Sequence, residues 1–320
     1  MFNTLINVSV QELAAWLHYP MLFFTAFGHE NIYLIVMAFL YWCVNEKLGI
    51  RVGVMLLTSS AVSSTLKILI HTPRPYWVDS KVIAYTTETS FGFPSGHALM
   101  SSATYGRIAI NLKEKILKYS AFVFIFIIGF SRIFLGVHFL GDVIGGWFFG
   151  VLLLALGLFL EKSASQFFSK QSGVIKIAFG LIASMTMITV FSVINHLVLI
   201  DWIMPTSWMN GQQGAAMEMP NPFESSGIWT VAGSLFGMIT GRVMINNFGG
   251  FSTKVANPQK VLRLLLGMIG VFILWLGLGK LFPSNESMLA LVLRYIRYAL
   301  VGFWISGGAP WLFRKIEKDS

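Results

Sequence analysis

Residues 121–160 read AFVFIFIIGFSRIFLGVHFLGDVIGGWFFGVLLLALGLFL, in which two apolar runs flank a polar island from Ser131 to Asp142. Apolar runs of this length predict helices that cross a membrane. Charged side chains within such a region are costly unless they have a partner or a function. The stretch therefore predicts a membrane protein with its chemistry located where two helices meet.

The whole chain has the composition of a membrane protein with many spans. Hydrophobic residues make up 55% of the 320 residues, charged residues make up 12%, and the mean hydropathy is +0.70. Soluble domains carry about 25% charged residues. We predict an all-α, polytopic membrane helix bundle with about nine transmembrane helices. The predicted spans are residues 20–44, 49–71, 95–111, 117–135, 138–160, 175–199, 227–245, 263–281 and 288–312, after an interfacial helix at 3–18.

Basic residues predict the orientation of the chain in the membrane. The 23 lysines and arginines exceed the 14 acidic residues and give a net charge of +9. Most of them follow alternate predicted spans, which is typical of cytoplasmic loops and explains the charge without a nucleic-acid partner. We expect an integral protein of a bacterial inner membrane, with the polar islands on its periplasmic, outer face. The single cysteine, Cys43, excludes an intramolecular disulfide and a cysteine-based metal site.

Three polar islands on that outer face suit the handling of phosphate. They contribute Lys67 and Arg74, then Ser95, Gly96 and His97, then Arg132, His138 and Asp142. A helix that opens at Ser95 would present free N–H groups to phosphate oxygens, and arginine offers a bidentate fork. Asp142 lies four residues after His138, so on one helix it would hold the histidine Nδ1–H and leave Nε2 free to attack. These residues alone do not decide which histidine is the nucleophile.

The same islands resemble the three signatures of the type 2 phosphatidic acid phosphatase (PAP2) superfamily. These are Lys-x6-Arg-Pro at 67–75, Pro-Ser-Gly-His at 94–97 and Ser-Arg-x5-His-x3-Asp at 131–142. The resemblance implies a six-helix catalytic core at residues 20–160, after an interfacial segment at 1–19 and before additional transmembrane helices at 161–320.

The resemblance also implies a role for each site residue. His138 would be the nucleophile that forms a phosphohistidine, Asp142 its orienting partner and His97 the general acid. The implied phosphate-binding residues are Lys67, Arg74, Ser95, Gly96 and Arg132. Neither a metal nor a cofactor is implied, because the cations neutralise the phosphate.

The expected substrate is a membrane lipid phosphate or diphosphate, of the polyprenyl diphosphate, phosphatidate or phosphatidylglycerophosphate class. Arg294 and Arg297 lie in the last span and are predicted to hold a head group, with the loop 201–226 as a cover. Pairing of these arginines with a carboxylate such as Glu286, or snorkelling of their side chains to the membrane interface, is the alternative. The nine-span plan and the run Arg74-Pro75-Tyr76-Trp77 look similar to the glucose-6-phosphatase branch, so a small sugar phosphate stays open. A non-catalytic transporter or lipid-binding protein is the third hypothesis, and the oligomeric state is not predicted.

Overall fold

The computed structural model describes residues 3–208, 220–283 and 285–318. Within these ranges the chain is helical and has no strand, which confirms the all-α prediction. The helices are α1 (Leu5–Leu13), α2 (His18–Ala26), α3 (Glu30–Phe39), α4 (Glu46–Ile70), α5 (Pro75–Val78), α6 (Gly96–Asn111), α7 (Lys115–Phe134), α8 (Leu140–Ser169), α9 (Gly173–Leu199), α10 (Ser226–Asn247), α11 (Asn257–Phe272), α12 (Leu278–Leu281), α13 (Met288–Phe303) and α14 (Ala309–Lys318).

The described residues contain fewer candidate membrane spans than the nine predicted. In the described ranges, seven helical stretches are long and apolar enough to cross a membrane, and an eighth is possible if the bent pair Ala15–Ala26 and Glu30–Val44 counts as one span. The predicted count of nine is therefore not confirmed. The predicted third span falls short because α6 has only 16 residues. It covers about 24 Å, which is less than the ~30 Å hydrocarbon core of a bilayer.

The chain folds into two compact units. Unit 1 comprises Met1–Tyr33, Thr58–Gly157 and Ser192–Glu224, and unit 2 comprises Leu34–Leu57, Leu158–Phe191 and Ser225–Ser320. All residues of the three polar islands belong to unit 1, whereas the two arginines of the last predicted span belong to unit 2. The predicted boundaries at residues 1–19, 20–160 and 161–320 stay predictions.

In unit 1, the connection from α4 to α6 contains Arg74 and Ser95, whereas Lys67 lies near the end of α4 and Gly96 is the first residue of α6. Helix α4 ends at Ile70, shortly before Pro73 and Pro75, because proline lacks the N–H that a continuing helix needs. Pro75 starts the short helix α5, where its fixed φ is favourable. An extended loop over residues 79–95 then leads to α6, which packs against α7. This path returns the chain to the end of α7 where the third island begins.

The amino-terminal helix has its polar face turned inward. The predicted interfacial helix 3–18 is divided into α1, a single 3₁₀ turn and the start of α2. On α1 the side chains of Asn7 and Gln11 are buried, whereas Leu5 and Leu13 are 70% and 84% exposed. Burial of two amides demands hydrogen-bond partners inside unit 1.

Unit 2 has its own aromatic core and a partly buried ion pair. The Trp42 indole donates a 2.7 Å hydrogen bond to the carbonyl oxygen of Ile305, and its ring lies 5.7 Å from that of Phe313. The buried Arg263 guanidinium makes two 2.7 Å contacts with the Glu317 carboxylate. These contacts tie the segment after α3 to α11 and α14 within unit 2.

Candidate active site

The third island is built on a sharp bend between α7 and α8. Helix α7 ends at Phe134, and Gly136 has φ of +78°, a backbone conformation that favours glycine. His138 therefore lies in the connection, two residues before α8, and is 1% exposed. The expectation that His138 and Asp142 share one helix is wrong, because Gly136 ends the helical path before His138 is reached.

Asp142 nevertheless contacts His138. The Asp142 Oδ2 atom lies 3.3 Å from His138 Nδ1 and accepts a 2.9 Å hydrogen bond from the Phe139 N–H. The second bond satisfies the N–H group of the residue that precedes α8, as an acidic side chain at the third helical position does in a capping box. One carboxylate oxygen therefore both caps α8 and faces the histidine.

Arg74 identifies the tautomer of His138. Its Nη1 atom lies 3.3 Å from His138 Nε2 and donates 2.9 Å to the carbonyl oxygen of Val137. A guanidinium can only donate, so Nε2 must carry a lone pair and the ring proton must be on Nδ1, facing Asp142. Burial and the charges of Arg74, Lys67 and Arg132 hold the pKa of His138 well below its ordinary value. The imidazole is therefore neutral, with its nucleophilic nitrogen towards the cations.

The first island converges on the loop that precedes α6. Lys67 Nζ donates to the Phe91 carbonyl oxygen at 2.7 Å and to Ser90 Oγ at 3.0 Å. Arg74 Nε donates to the Ser90 carbonyl oxygen at 2.6 Å, and Nη2 donates to Ser90 Oγ at 3.0 Å. Lys67 and Arg74 are thus brought together by Ser90 and Phe91, which sequence reasoning did not single out.

Arg132 completes the group of cations. It is 1% exposed, donates 2.7 Å to Thr25 Oγ1 and forms an ion pair with Glu88. The second Glu88 oxygen lies 3.8 Å from Arg74 Nη2, so one carboxylate faces both arginines. Sequence reasoning missed Thr25 and Glu88. The only available signal was a carboxylate in an otherwise polar loop, which by itself is ordinary.

Two buried polar groups of the second island, at the amino-terminal end of α6, and one of the third island lack a hydrogen-bond partner in the described part of the chain. Ser95 occupies the predicted N-cap position but makes no capping hydrogen bond with its side chain. Ser95 Oγ, His97 Nε2 and Arg132 Nε are buried and have no hydrogen-bond partner among the described residues. Buried polar atoms are normally paired, so these three are suited to an oxygen-rich ligand. Gly96 starts the helix beside them.

His97 also lies against the connection between α2 and α3. Its ring is 4.9 Å, centroid to centroid, from that of His29 in an edge-to-face arrangement. A side chain at Gly28 would overlap the His97 ring, so this position requires glycine. His29 therefore belongs to the surroundings of His97.

The structure thus assembles all eight residues of the three islands in unit 1 and adds Glu88, Ser90, Thr25 and His29. Arg294 and Arg297 lie in unit 2, on α13. Both are half-buried, and the Arg297 guanidinium lies 4.8 Å from the Tyr298 ring centroid. Their predicted role as head-group ligands stays a prediction.

A pH-dependent contribution to stability is expected from Glu88. Burial alone would raise its pKa, but the charges of Arg132 and Arg74 prevail, and the net pKa lies well below the ordinary value. A depressed pKa stabilises the fold above about pH 4.3, and the contribution is lost as pH falls from there through the folded-state pKa. Glu88→Gln should lower the free energy of unfolding by about 2 kcal/mol at pH 7.

Thermal unfolding in detergent at pH 3 to 7 measures this effect. The difference between wild type and Glu88→Gln should shrink below about pH 4, where the wild-type carboxyl begins to bind a proton in the unfolded chain. Glu12→Gln, at an exposed position of α1, is the matched control. A difference that stays constant over the whole pH range would contradict the ion pair as its source.

Comparison with known proteins identifies the family of this chain. The PAP2 superfamily model matches residues 48–162, and the model of the PAP2 superfamily phosphatase transmembrane extension matches residues 229–319. The chain belongs to the PAP2 superfamily. The resemblance inferred from the three motifs is therefore confirmed. The first match contains every residue of the islands, and the second contains Arg294 and Arg297.

Curated relatives of this PAP2 protein are lipid phosphatases by name. Phosphatidylglycerophosphatase B of Bacillus subtilis is 35% identical over 92 residues, which are 26% of this chain and 45% of that protein. Undecaprenyl-diphosphatase of Sulfolobus acidocaldarius is 26% identical over 146 residues, 45% of this chain and 70% of that protein. Sphingosine-1-phosphate phosphatase 2 of Mus musculus is 25% identical over 151 residues, which are 43% of this chain and 41% of that protein. The match thus spans less than half of the first and third of these proteins.

A solved structure is also similar to this PAP2 protein. It is the crystal structure of the first transmembrane PAP2 type phosphatidylglycerolphosphate phosphatase from Bacillus subtilis. The two chains are 27% identical and superpose with a TM-score of 0.42. The superposition covers 49% of this chain and 85% of the other.

Proposed function

We propose that the chain is an integral membrane phosphatase that hydrolyses a lipid phosphate or diphosphate through a phosphohistidine on His138. The observation that carries the proposal is the position of His138 Nε2. This nitrogen is held neutral, faces Arg74 at 3.3 Å and lies on the side of the buried cations. A neutral nucleophilic nitrogen beside buried cations is suited to attack on an anionic phosphate.

The proposed reaction has two steps. In the first, the Nε2 lone pair attacks phosphorus, the bond from phosphorus to the leaving oxygen breaks, and His97 donates the proton that this oxygen needs. Asp142 stabilises the imidazolium that forms, because it faces Nδ1–H. In the second, water attacks phosphorus, His97 accepts a proton from that water, the bond from phosphorus to Nε2 breaks, and phosphate leaves.

Charge neutralisation is proposed to come from the protein itself. Lys67, Arg74 and Arg132 would bind the phosphate oxygens, together with Ser95 and the N–H group of Gly96. The buried, unpartnered atoms Ser95 Oγ and Arg132 Nε support this assignment. Preorganised donors of this kind stabilise the charge that develops in the transition state, so the proposal requires no metal.

A lipid is the proposed substrate class because the named relatives act on lipids and the site lies in a unit of apolar helices. We propose the classes named for those relatives, with phosphatidate as a further candidate. A small sugar phosphate is the second candidate, and a non-catalytic transporter or lipid-binding protein is the third.

A phosphate-release assay tests the proposal. Purified protein in detergent with EDTA is supplied with undecaprenyl diphosphate, phosphatidate, phosphatidylglycerophosphate or glucose 6-phosphate. A kcat/KM for a lipid at least tenfold higher than that for glucose 6-phosphate supports the proposed lipid phosphatase. The reverse ratio favours a small sugar phosphate as the substrate. If no substrate releases phosphate, the proposed phosphatase activity is wrong. Loss of activity in EDTA overturns the metal-free mechanism.

We further propose that the site opens on the periplasmic, outer face of a bacterial inner membrane. The alternation of basic loops supports this orientation. Cysteines are placed at two exposed positions, Ala84→Cys in the loop before α6 and Lys115→Cys at the start of α7, in a Cys43→Ala background. An impermeant maleimide on intact cells should label position 84 and not position 115. The opposite labelling would reverse the orientation.

Arg294 and Arg297 are proposed to bind the anionic head group of the lipid. They are one helical turn apart on α13 and so share a face. Part of the proposed cover, residues 209–219 of the loop 201–226, lies outside the described residues. Arg297→Ala should raise KM for a lipid diphosphate about tenfold and leave KM for p-nitrophenyl phosphate within about twofold. Equal losses on both substrates would indicate a structural role instead.

A further inference from the structure

The amino-terminal helix α1 carries two amides whose burial needs an explanation. Asn7 is 0% exposed and Gln11 is 4% exposed, and they lie four residues apart on one face. An amide removed from water without partners costs about 1–3 kcal/mol, so a buried helix face would normally carry apolar residues here. Neither residue belongs to the three motifs, and no step of the proposed reaction uses them.

Asn7 bonds to both sides of the bend that carries His138. Its Nδ2 atom donates 2.9 Å to the carbonyl oxygen of Ile133 and 3.0 Å to that of His138 itself. Both N–H groups of this amide are thereby used. Ile133 follows Arg132 directly, so one side chain holds the backbone beside a phosphate-binding cation and at the nucleophile.

Gln11 bonds the same bend to the loop that precedes α6. Its Nε2 atom donates 2.7 Å to the Phe134 carbonyl oxygen and 2.8 Å to that of Ile83. Its Oε1 atom accepts a 3.0 Å hydrogen bond from the Ile83 N–H. The loop fixed in this way continues to Glu88, the carboxylate that faces the two arginines.

These bonds matter because the bend has little regular structure of its own. Between Phe134 and Leu140 the backbone is neither helix nor strand, and the last carbonyls of α7 lack partners within the helix. The N–H groups of Leu135, Gly136 and His138 donate back to carbonyl oxygens at the end of α7. The two amides add side-chain hydrogen bonds to this short set of backbone bonds. A displacement of about 1 Å at a reacting group can reduce a rate by about 100-fold.

We infer that Asn7 and Gln11 are positioning residues that hold the backbone from Arg132 to His138 in its reactive arrangement. The inference rests on the proposed function, since it gives the amides a role in attack by His138. It extends the machinery of the site to a helix outside the three motifs. Both amides act through backbone atoms: Asn7 through those of the bend, and Gln11 through those of the bend and of the loop that precedes α6.

Asn7→Asp is the informative variant, because aspartate is nearly isosteric but has no N–H to donate to the two carbonyl oxygens. We expect kcat for phosphate release to fall about 100-fold and KM to stay within about threefold. Gln11→Glu should show the same pattern. Ser9→Ala, at an exposed position of α1, is the matched control and should keep wild-type kcat. Rates are compared per folded molecule, well below each melting temperature.

Hydrogen exchange separates this inference from the proposed function. Amides at 132–140 should exchange at least tenfold faster in Asn7→Ala than in Ser9→Ala, with unchanged exchange in α8 beyond its first turn. This readout needs no activity, so it decides the positioning role even if the wild-type protein releases no phosphate. Unchanged exchange at 132–140, or a kcat per folded molecule equal to that of wild type in Asn7→Asp, would overturn the inference.

Discussion

His138→Ala should release phosphate at less than about 10⁻⁴ of the wild-type rate, since loss of a nucleophile or its base in comparable enzymes has this effect. The structure gives the reason. His138 Nε2 is the nitrogen that faces Arg74, and its Nδ1 faces Asp142, so the ring is both oriented and neutral. Alanine removes the nucleophile but leaves the backbone carbonyl that Asn7 binds.

The measurement needs a fold control and a trapping control. His196→Ala, an exposed histidine on α9, should retain wild-type activity, and both variants should melt within a few degrees of wild type. In His97→Ala, a substrate with a good leaving group such as p-nitrophenyl phosphate should still phosphorylate the protein, whereas His138→Ala should not. Labelled phosphate on His138→Ala, or turnover near the wild-type rate, would remove His138 from its proposed role.

Arg74→Lys should lower kcat/KM by about 10²- to 10³-fold, the range found when one preorganised donor to a developing charge is removed. The substitution keeps the positive charge, so the loss measures the planar fork alone. Arg74 is fully buried and donates in three directions, to Ser90, to Val137 and towards His138 Nε2. An ammonium group on a flexible stem cannot reach all three at once.

Arg51→Lys is the matched control for this comparison. Arg51 pairs with Glu161 at 2.6 Å, and both side chains are partly exposed. A lysine at this position can therefore form an equivalent surface ion pair. This variant should keep kcat/KM within about twofold of wild type. If Arg74→Lys did the same, charge without geometry would suffice, and the role of the fork in holding phosphate beside His138 would be wrong.

Local pattern was sufficient for part of this molecule. Long apolar runs indicate membrane helices whatever they pack against, because the bilayer requires about 20 apolar residues for each span. The motifs of the three islands identify the site residues, because the spacing of a motif can be recognised along the sequence without knowledge of the fold. Pattern failed at α6, which is only 16 residues long, and at His138, where the positive φ of Gly136 directs the chain off the helix.

The amino-acid sequence by itself therefore determined that the chain is an all-α membrane protein and which eight residues of its islands to examine. Only the tertiary structure decided what surrounds them. Glu88 pairs with Arg132 across 44 residues of chain, and Asn7 bonds to His138 across 131. One partner is an ordinary carboxylate, and the other is a backbone carbonyl, a group that every residue possesses. No spacing or residue type distinguishes such partners, because only the path of the folded chain brings them within hydrogen-bond distance.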